Sequence, residues 1–262
     1  MVRIGIDPIL LRVGPWGLTW HGLLLTAAVA LGACLFVLLA HRQGIARGHL
    51  VELIVWTVVA GYVGARLLQV FLYDWHTYAA QPLRILAVNE GGLAVYGGLI
   101  GGALALATCA RRRQLPFWGL ADAVALAIPL GLIVGRVGCT IAGDACGIPT
   151  RGAWGLVYTH PDSAVPRYLL GVPTFPAPIA MMLGNAGLLT LLLILRRRVR
   201  RVGDLFLAFL VVYSVGRFVL SFWQVEPALL LGLHPTQLAA LAVAVAAVPW
   251  LLLPRFARRV AL

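Results

Sequence analysis

Lysine is absent from this chain of 262 residues; all 21 basic side chains are arginine. Acidic residues number only nine, and charged residues of both signs make up 11% of the sequence. A soluble domain carries about 25%, so that class is excluded. No polar linker separates the apolar segments, which predicts a single transmembrane domain over residues 1–262. Cysteine is scarce, with four copies. Cys34 and Cys109 fall in apolar runs and read as packing residues. Cys139 and Cys146 have neither a histidine nor a second cysteine pair at metal-ligand spacing, so a zinc site is not expected. A disulfide between the two stays open as an alternative.

What the chain has in plenty is apolar: 61% of its residues are hydrophobic, in long runs. That content marks a polytopic membrane protein. The predicted fold class is all-α, a membrane helix bundle with seven transmembrane helices at 18–40, 51–73, 93–110, 117–134, 177–195, 205–222 and 234–253. Residues 1–17, with Pro8, Gly14 and Pro15, read as a lead-in along the membrane surface. Leu31-Gly32-Ala33-Cys34 has the form of a lipoprotein cleavage box. The run stays apolar through Leu39 and no basic segment directly precedes it, so it reads as helix. Gly97/Gly101 and Gly98/Gly102 are small-xxx-small pairs that let two membrane helices approach closely.

A net charge of +12 raises the question of nucleic acid. The distribution of arginine answers it. Thirteen arginines lie in the turns at 42–47, 111–113 and 196–201 and in the tail at 255–259, all on one side of the predicted helices. Arg3, Arg12, Arg84, Arg151 and Arg167, five in all, lie on the other. Basic residues collect on the cytoplasmic side. The N-terminus is therefore expected outside, the C-terminus in the cytoplasm, and a long loop at 135–176 outside.

Arg66, Arg136 and Arg217 remain within the apolar spans or at their ends. Arg136 belongs to the glycine-rich stretch from Gly135 to Gly147, which reads as a loop leaving the fourth span. An ionisable group at membrane depth costs several kcal/mol and is usually held by a partner. Spans two, four and six all run outward, so the three arginines share the outer half of the bilayer. Glu90 and Asp144 offer only two carboxylates against them. A phosphate, which arginine grips in bidentate fashion, supplies the missing charge. In a membrane it belongs to a lipid headgroup. A purely structural arginine network, with Arg136 merely snorkelling, is the alternative.

Gly135-Arg136-Val137-Gly138, continuing to Gly147, resembles the signature of the bacterial prolipoprotein diacylglyceryl transferases. Gly91-Gly92-Leu93 with Gly97-Gly98-Leu99-Ile100-Gly101, Gly64-Ala65-Arg66, and Gly14-Pro15 followed by Trp20 add to the likeness, which spans nearly the whole chain. Arg217 stands where the family has its second essential arginine, and Gln237 where its last helix carries a glutamine. The resemblance implies transfer of diacylglyceryl from phosphatidylglycerol to the lipobox cysteine thiol of a prolipoprotein, forming a thioether and releasing glycerol phosphate. It implies an inner-membrane, multi-pass enzyme whose partners are phosphatidylglycerol, the prolipoprotein signal peptide and membrane lipid, with no nucleic acid. No cofactor and no metal are expected. Arg136, Arg217, Tyr96 and His21 are the implied catalytic residues. Arg136, Arg217, Arg66, Asp144, Gly147 and Gly98 are the implied phospholipid-binding residues.

The chain departs from the family pattern in particular places. The family usually has histidine at Tyr96 and tyrosine at His21, so that pair is exchanged. Cys139 and Ala142 stand for two asparagines, Asp144 for a glutamate, and Ser221 for an acidic residue four after Arg217. Phe175-Pro176-Ala177-Pro178 replaces a His-Pro-x-Gln run. If His21 and Tyr96 face each other across the outer mouth, His21 serves as base for the thiol and Tyr96 donates to a phosphate or ester oxygen. The phosphate-binding arginines are intact and the proton-handling groups are changed. A non-catalytic relative that binds phospholipid or a lipoprotein precursor is therefore the rival reading. An anion transporter would want repeat symmetry between halves, and the sequence has none.

Overall fold

The computed structural model describes residues 1–14, 16–73, 75–86, 94–199, 201–226 and 232–252. Pro15, Glu90, Gly91, Gly92, Leu93, Arg200, Arg255, Arg258 and Arg259, which figure in the sequence reading, lie outside them. The chain opens with strand β1 (Val2–Ile4) and a hairpin of β2 (Ile9–Val13) and β3 (Trp16–Thr19). Helices follow as α1 (Trp20–His41), α2 (Arg47–Leu68), α3 (Trp75–Ala80), α4 (Val95–Arg112) and α5 (Phe117–Ala142). Then come β4 (Leu156–Tyr158), α6 (Ala177–Arg196), α7 (Asp204–Ser221) and α8 (Pro235–Leu252). A wider π-helical turn extends α2 through Tyr73.

The fold is mostly helical, and among the described residues four short strands accompany the helices. β2 and β3 pair antiparallel about Gly14, whose φ of +60° lies in the left-handed region where glycine turns without penalty. β1 pairs in parallel with β4, placing Val2 beside Leu156 and Ile4 beside Tyr158. Five helical stretches are long and apolar enough to cross a membrane: Trp20–His41, Arg47–Phe71, Phe117–Ala142, Ala177–Arg196 and Asp204–Ser221. Among the described residues, α4 and α8 do not reach that mark. The fourth helix also outruns its expected end at 134 by more than two turns, so Arg136 and Cys139 are helical and not in a loop. Glycine disfavours a helix interior by only ~1 kcal/mol per residue, and the packing of Gly135 and Gly138 against α1 outweighs it.

Contacts divide the chain into two compact units. The smaller, Val37–Leu120, is built on α2 against α4. A Cβ on Gly97 would lie 2.2 Å from the Gly64 carbonyl oxygen, and one on Gly64 would lie 2.4 Å from that of Gly97. The two backbones touch, which is the close approach the small-xxx-small pairs predict. The Ala94 amide donates to the Ala65 carbonyl at 3.0 Å across the same seam. Outward-facing Val55, Val58, Val59 and Tyr62 leave an apolar face suited to lipid.

The larger unit joins Met1–Phe36 to the chain from Ala121 onward. Here α7 packs between α6 and α8. The Asp122 carboxylate of α5 accepts the Gly203 and Phe206 amides at 2.7 and 2.9 Å, capping the N-terminus of α7 from a separate helix. The cap fixes α7 against α5, the helices that carry Arg217 and Arg136. The connection after α5 folds on a core of its own, in which Cys146, Leu156, Tyr158, Val165 and Leu169 are buried together. Ile4 of β1 packs on that core, and the Tyr158 hydroxyl donates to the Thr140 carbonyl at 3.1 Å. The loop is thereby tied to the end of α5.

Gly97→Val should force α2 and α4 apart, at a cost of ~3 kcal/mol or more because backbone and not side chain must move. Gly48→Ala, whose added Cβ meets nothing within 4 Å, should be neutral or stabilising by up to ~1 kcal/mol. Thermal melting of the two variants in detergent checks this; equal melting temperatures would contradict the tight α2–α4 seam.

Candidate active site

Arg136 and Arg217 line one cleft. It holds about 210 Å³ and is walled by Arg136 of α5, by Met181, Asn185 and Leu188 of α6, and by Tyr213 and Arg217 of α7. Gly184, Gly187 and Gly216 thin the same walls. The lining is apolar apart from the two guanidinium groups, the Asn185 amide and the Tyr213 hydroxyl, a composition suited to a ligand with a charged head and greasy body.

The two arginines have different surroundings. Arg217, half-buried, donates to the Gln224 side-chain oxygen, lies 3.3 Å from the Met181 sulfur, and pairs with Glu226 at 3.5 Å. Glu226 in turn accepts from the Thr236 hydroxyl at 2.6 Å. Arg136 has no acidic partner among the described residues; its Nη1 lies 3.7 Å from the Cys139 sulfur. Glu226 is a functional neighbour that the sequence reading misses, because it follows α7 and was not weighed as a balancing carboxylate. Its rarity, one of nine acidic residues, was the available signal.

Gly147 acts from behind this site. A Cβ there would lie 2.3 Å from the Phe175 carbonyl and 2.9 Å from that of Trp223. Gly147 also bridges Gln224 in antiparallel fashion. Its bare backbone therefore seats Gln224, which faces Arg217. Phe175 stacks on Trp223 at 5.9 Å between ring centroids, and Trp154 meets Phe175 edge-on at 5.4 Å. Gln237 is fully buried; its oxygen accepts the His234 amide at 2.9 Å, while its amide nitrogen has no partner.

His21, second residue of α1, sits against Gly138 of α5: a Cβ on Gly138 would lie 3.2 Å from the His21 Cα. Its Nδ1 is buried without a hydrogen-bond partner. Cys139 follows one residue later and is buried, whereas Asp144 is exposed just past the helix end. Cys139 and Cys146 are free thiols, so the disulfide alternative is not realised. Burial pushes the Cys146 thiol and the Tyr158 phenol up, keeping both protonated near neutral pH.

The remaining implied residues belong to the smaller unit. Tyr96 is the second residue of α4 and half-buried, and Gly98 packs close to the Gly61 carbonyl in the α2–α4 seam. Arg66 is buried; its guanidinium donates to the carbonyls of Ile85 and Arg84 and lies 5.1 Å from the centre of the Tyr78 ring.

Comparison with known proteins follows the same residues. The family model for prolipoprotein diacylglyceryl transferase matches residues 8–253. The phosphatidylglycerol–prolipoprotein diacylglyceryl transferase of Synechococcus elongatus is 35% identical over 241 residues, covering 89% of this chain and 82% of that protein. The protein of the same name in Symbiobacterium thermophilum is 32% identical over 242 residues, 92% of this chain and 90% of the relative. That of Bacillus cereus is 32% identical over 251 residues, 95% of this chain and 93% of the relative. With a family model that matches nearly the whole chain and relatives above 30% identity over most of their own length, the chain belongs to the prolipoprotein diacylglyceryl transferase family.

Proposed function

We propose that this protein is a transferase that moves diacylglyceryl from phosphatidylglycerol to the lipobox cysteine thiol of prolipoproteins. The observation that carries the proposal is the shared cleft of Arg136 and Arg217 between α5, α6 and α7. The thiol sulfur attacks the glyceryl carbon, the S–C bond forms, the C–O bond to phosphate breaks, and glycerol phosphate leaves. Negative charge grows on the departing phosphate, and two preorganised guanidinium groups stabilise it more as the reaction advances. An apolar wall strengthens that interaction by excluding water.

Glu226 has a part in this scheme. It offsets Arg217 before lipid binds, and the phosphate displaces or shares that partner. Gly147 acts through Gln224, and Asp144 borders the Arg136 end of the site. Tyr96 donates a hydrogen bond to an ester or phosphate oxygen, and Arg66 and Gly98 belong to the α2–α4 unit. His21 takes the proton from the thiol; its uncommitted Nδ1 supports the role.

The finer membrane arrangement belongs to the proposal as well: seven spans in one domain of the inner membrane, with the N-terminus outside and the C-terminus cytoplasmic. The five apolar stretches support it, with α4 and α8 as the third and seventh spans.

In an assay with phosphatidylglycerol vesicles and a lipobox peptide, the wild type should add one diacylglyceryl mass to the peptide. Arg136→Ala and Arg217→Ala should each lower the rate by about 10²-fold or more, as for loss of a group that stabilises developing negative charge. Lysine at either place should rescue poorly, since a point charge cannot reproduce the planar fork. His21→Ala should be impaired as severely. Full activity in both alanine variants would sink the phosphate clamp, and a wild type that binds lipid but never modifies the peptide would favour the non-catalytic relative.

Orientation has its own check. A reporter fused after Leu262 should be active in the cytoplasm, and one inserted near Asp162 should behave as exported. The reverse pattern would overturn the topology.

A further inference from the structure

We infer that His21, Cys139 and Asp144 form a binding site for a single divalent cation of the zinc class. One ligand atom from each residue lies within 4.8 Å of the others. The sequence hides the grouping, because His21 stands far from Cys139 along the chain. It is the packing of Gly138 on the His21 backbone that closes the distance. A shared tetrahedral ion needs bonds of about 2.0–2.3 Å to each donor, so binding draws the three side chains in toward it.

Three observations favour an ion over a chance cluster. First, the Nδ1 of His21 is buried and has no hydrogen-bond partner among the described residues, a state that native proteins rarely leave unresolved. Second, Cys139 is 6% exposed and its sulfur lies 3.9 Å from Asp144 Oδ2, so the thiol and carboxylate already face each other. Third, Asp144 is exposed and gives the ion a path in from solvent. The second cluster of this kind, Asp7, His160 and Asp162, differs in the first two: it has no thiol, and its polar atoms are already engaged. His160 Nδ1 already accepts the Asp162 amide at 3.2 Å, and Asp162 pairs with Arg12 at 3.1 Å.

The donor set selects the metal. One imidazole nitrogen, one thiolate and one carboxylate suit zinc and its neighbours, whereas magnesium and calcium take oxygen donors alone. A thiolate and a carboxylate neutralise a divalent ion, so the nearby Arg136 faces a complex without net charge. Its guanidinium, 3.7 Å from the sulfur, serves as an outer donor to the thiolate. Three protein ligands leave one position of a tetrahedron open. The ion and a proton compete for the one imidazole lone pair of His21.

The test uses the purified full-length protein in detergent, without a histidine tag and stripped with chelator. After incubation with zinc alone and desalting, elemental analysis should find a single ion per chain. Cobalt(II) in place of zinc should give the near-ultraviolet absorption of a thiolate-to-metal charge transfer. Cys139→Ser should lose that band, and His21→Ala should lose the retained zinc, while both variants elute as the wild type does in gel filtration. Cys139→His should keep zinc and lack the band. Absence of retained zinc in the wild type, or an unchanged cobalt spectrum in Cys139→Ser, would overturn the site. An ion on His21 would occupy the lone pair that takes the thiol proton, so the vesicle assay is run on the chelator-stripped protein, and zinc retention and lipid transfer are read separately.

Discussion

A guanidinium group does not shed its proton, so a membrane protein that carries one among its helices must supply compensating charge. That constraint orders this structure. Arg66 meets it locally, with two backbone carbonyls and the Tyr78 ring. Arg217 meets it with Glu226 and Gln224. Among the described residues Arg136 has a thiol and a cleft in place of an acid. The proposed phosphate of the lipid completes what the chain leaves open, and the cleft shared with Arg217 gives it a place to do so. Much of the surrounding architecture holds that arrangement: Asp122 capping α7, Gly147 seating Gln224, and the loop core tied to the end of α5.

The parts of the fold governed by local composition were legible. Apolar runs gave the long helices, and the pairs about Gly97 and Gly98 gave the α2–α4 contact, because both signals are read within one segment. The strand pairing of β1 with β4 was not, since it joins Val2–Ile4 to residues more than 150 positions away. The end of α5 was misplaced for a related reason. Glycines 135 and 138 look like loop residues in sequence, and only their packing against α1 shows why they are helical.

Legibility of the site follows the same division. Arg136 and Arg217 stood out because charge is rare in apolar spans. Glu226 did not, because it lies beyond the helix whose arginine it partners. The grouping of His21 with Cys139 was invisible to spacing rules, which look for ligands close in sequence.

The central claim is that one lipid phosphate is held by both cleft arginines. A structure of the protein bound to phosphatidylglycerol, determined in a lipid nanodisc, tests it most directly. The account predicts the headgroup phosphate within hydrogen-bond reach of Arg136 and Arg217 together, with the acyl chains along the apolar wall of α6 and α7. A headgroup bound elsewhere, with Arg217 still paired to Glu226 and Arg136 out of reach of phosphate, would contradict it.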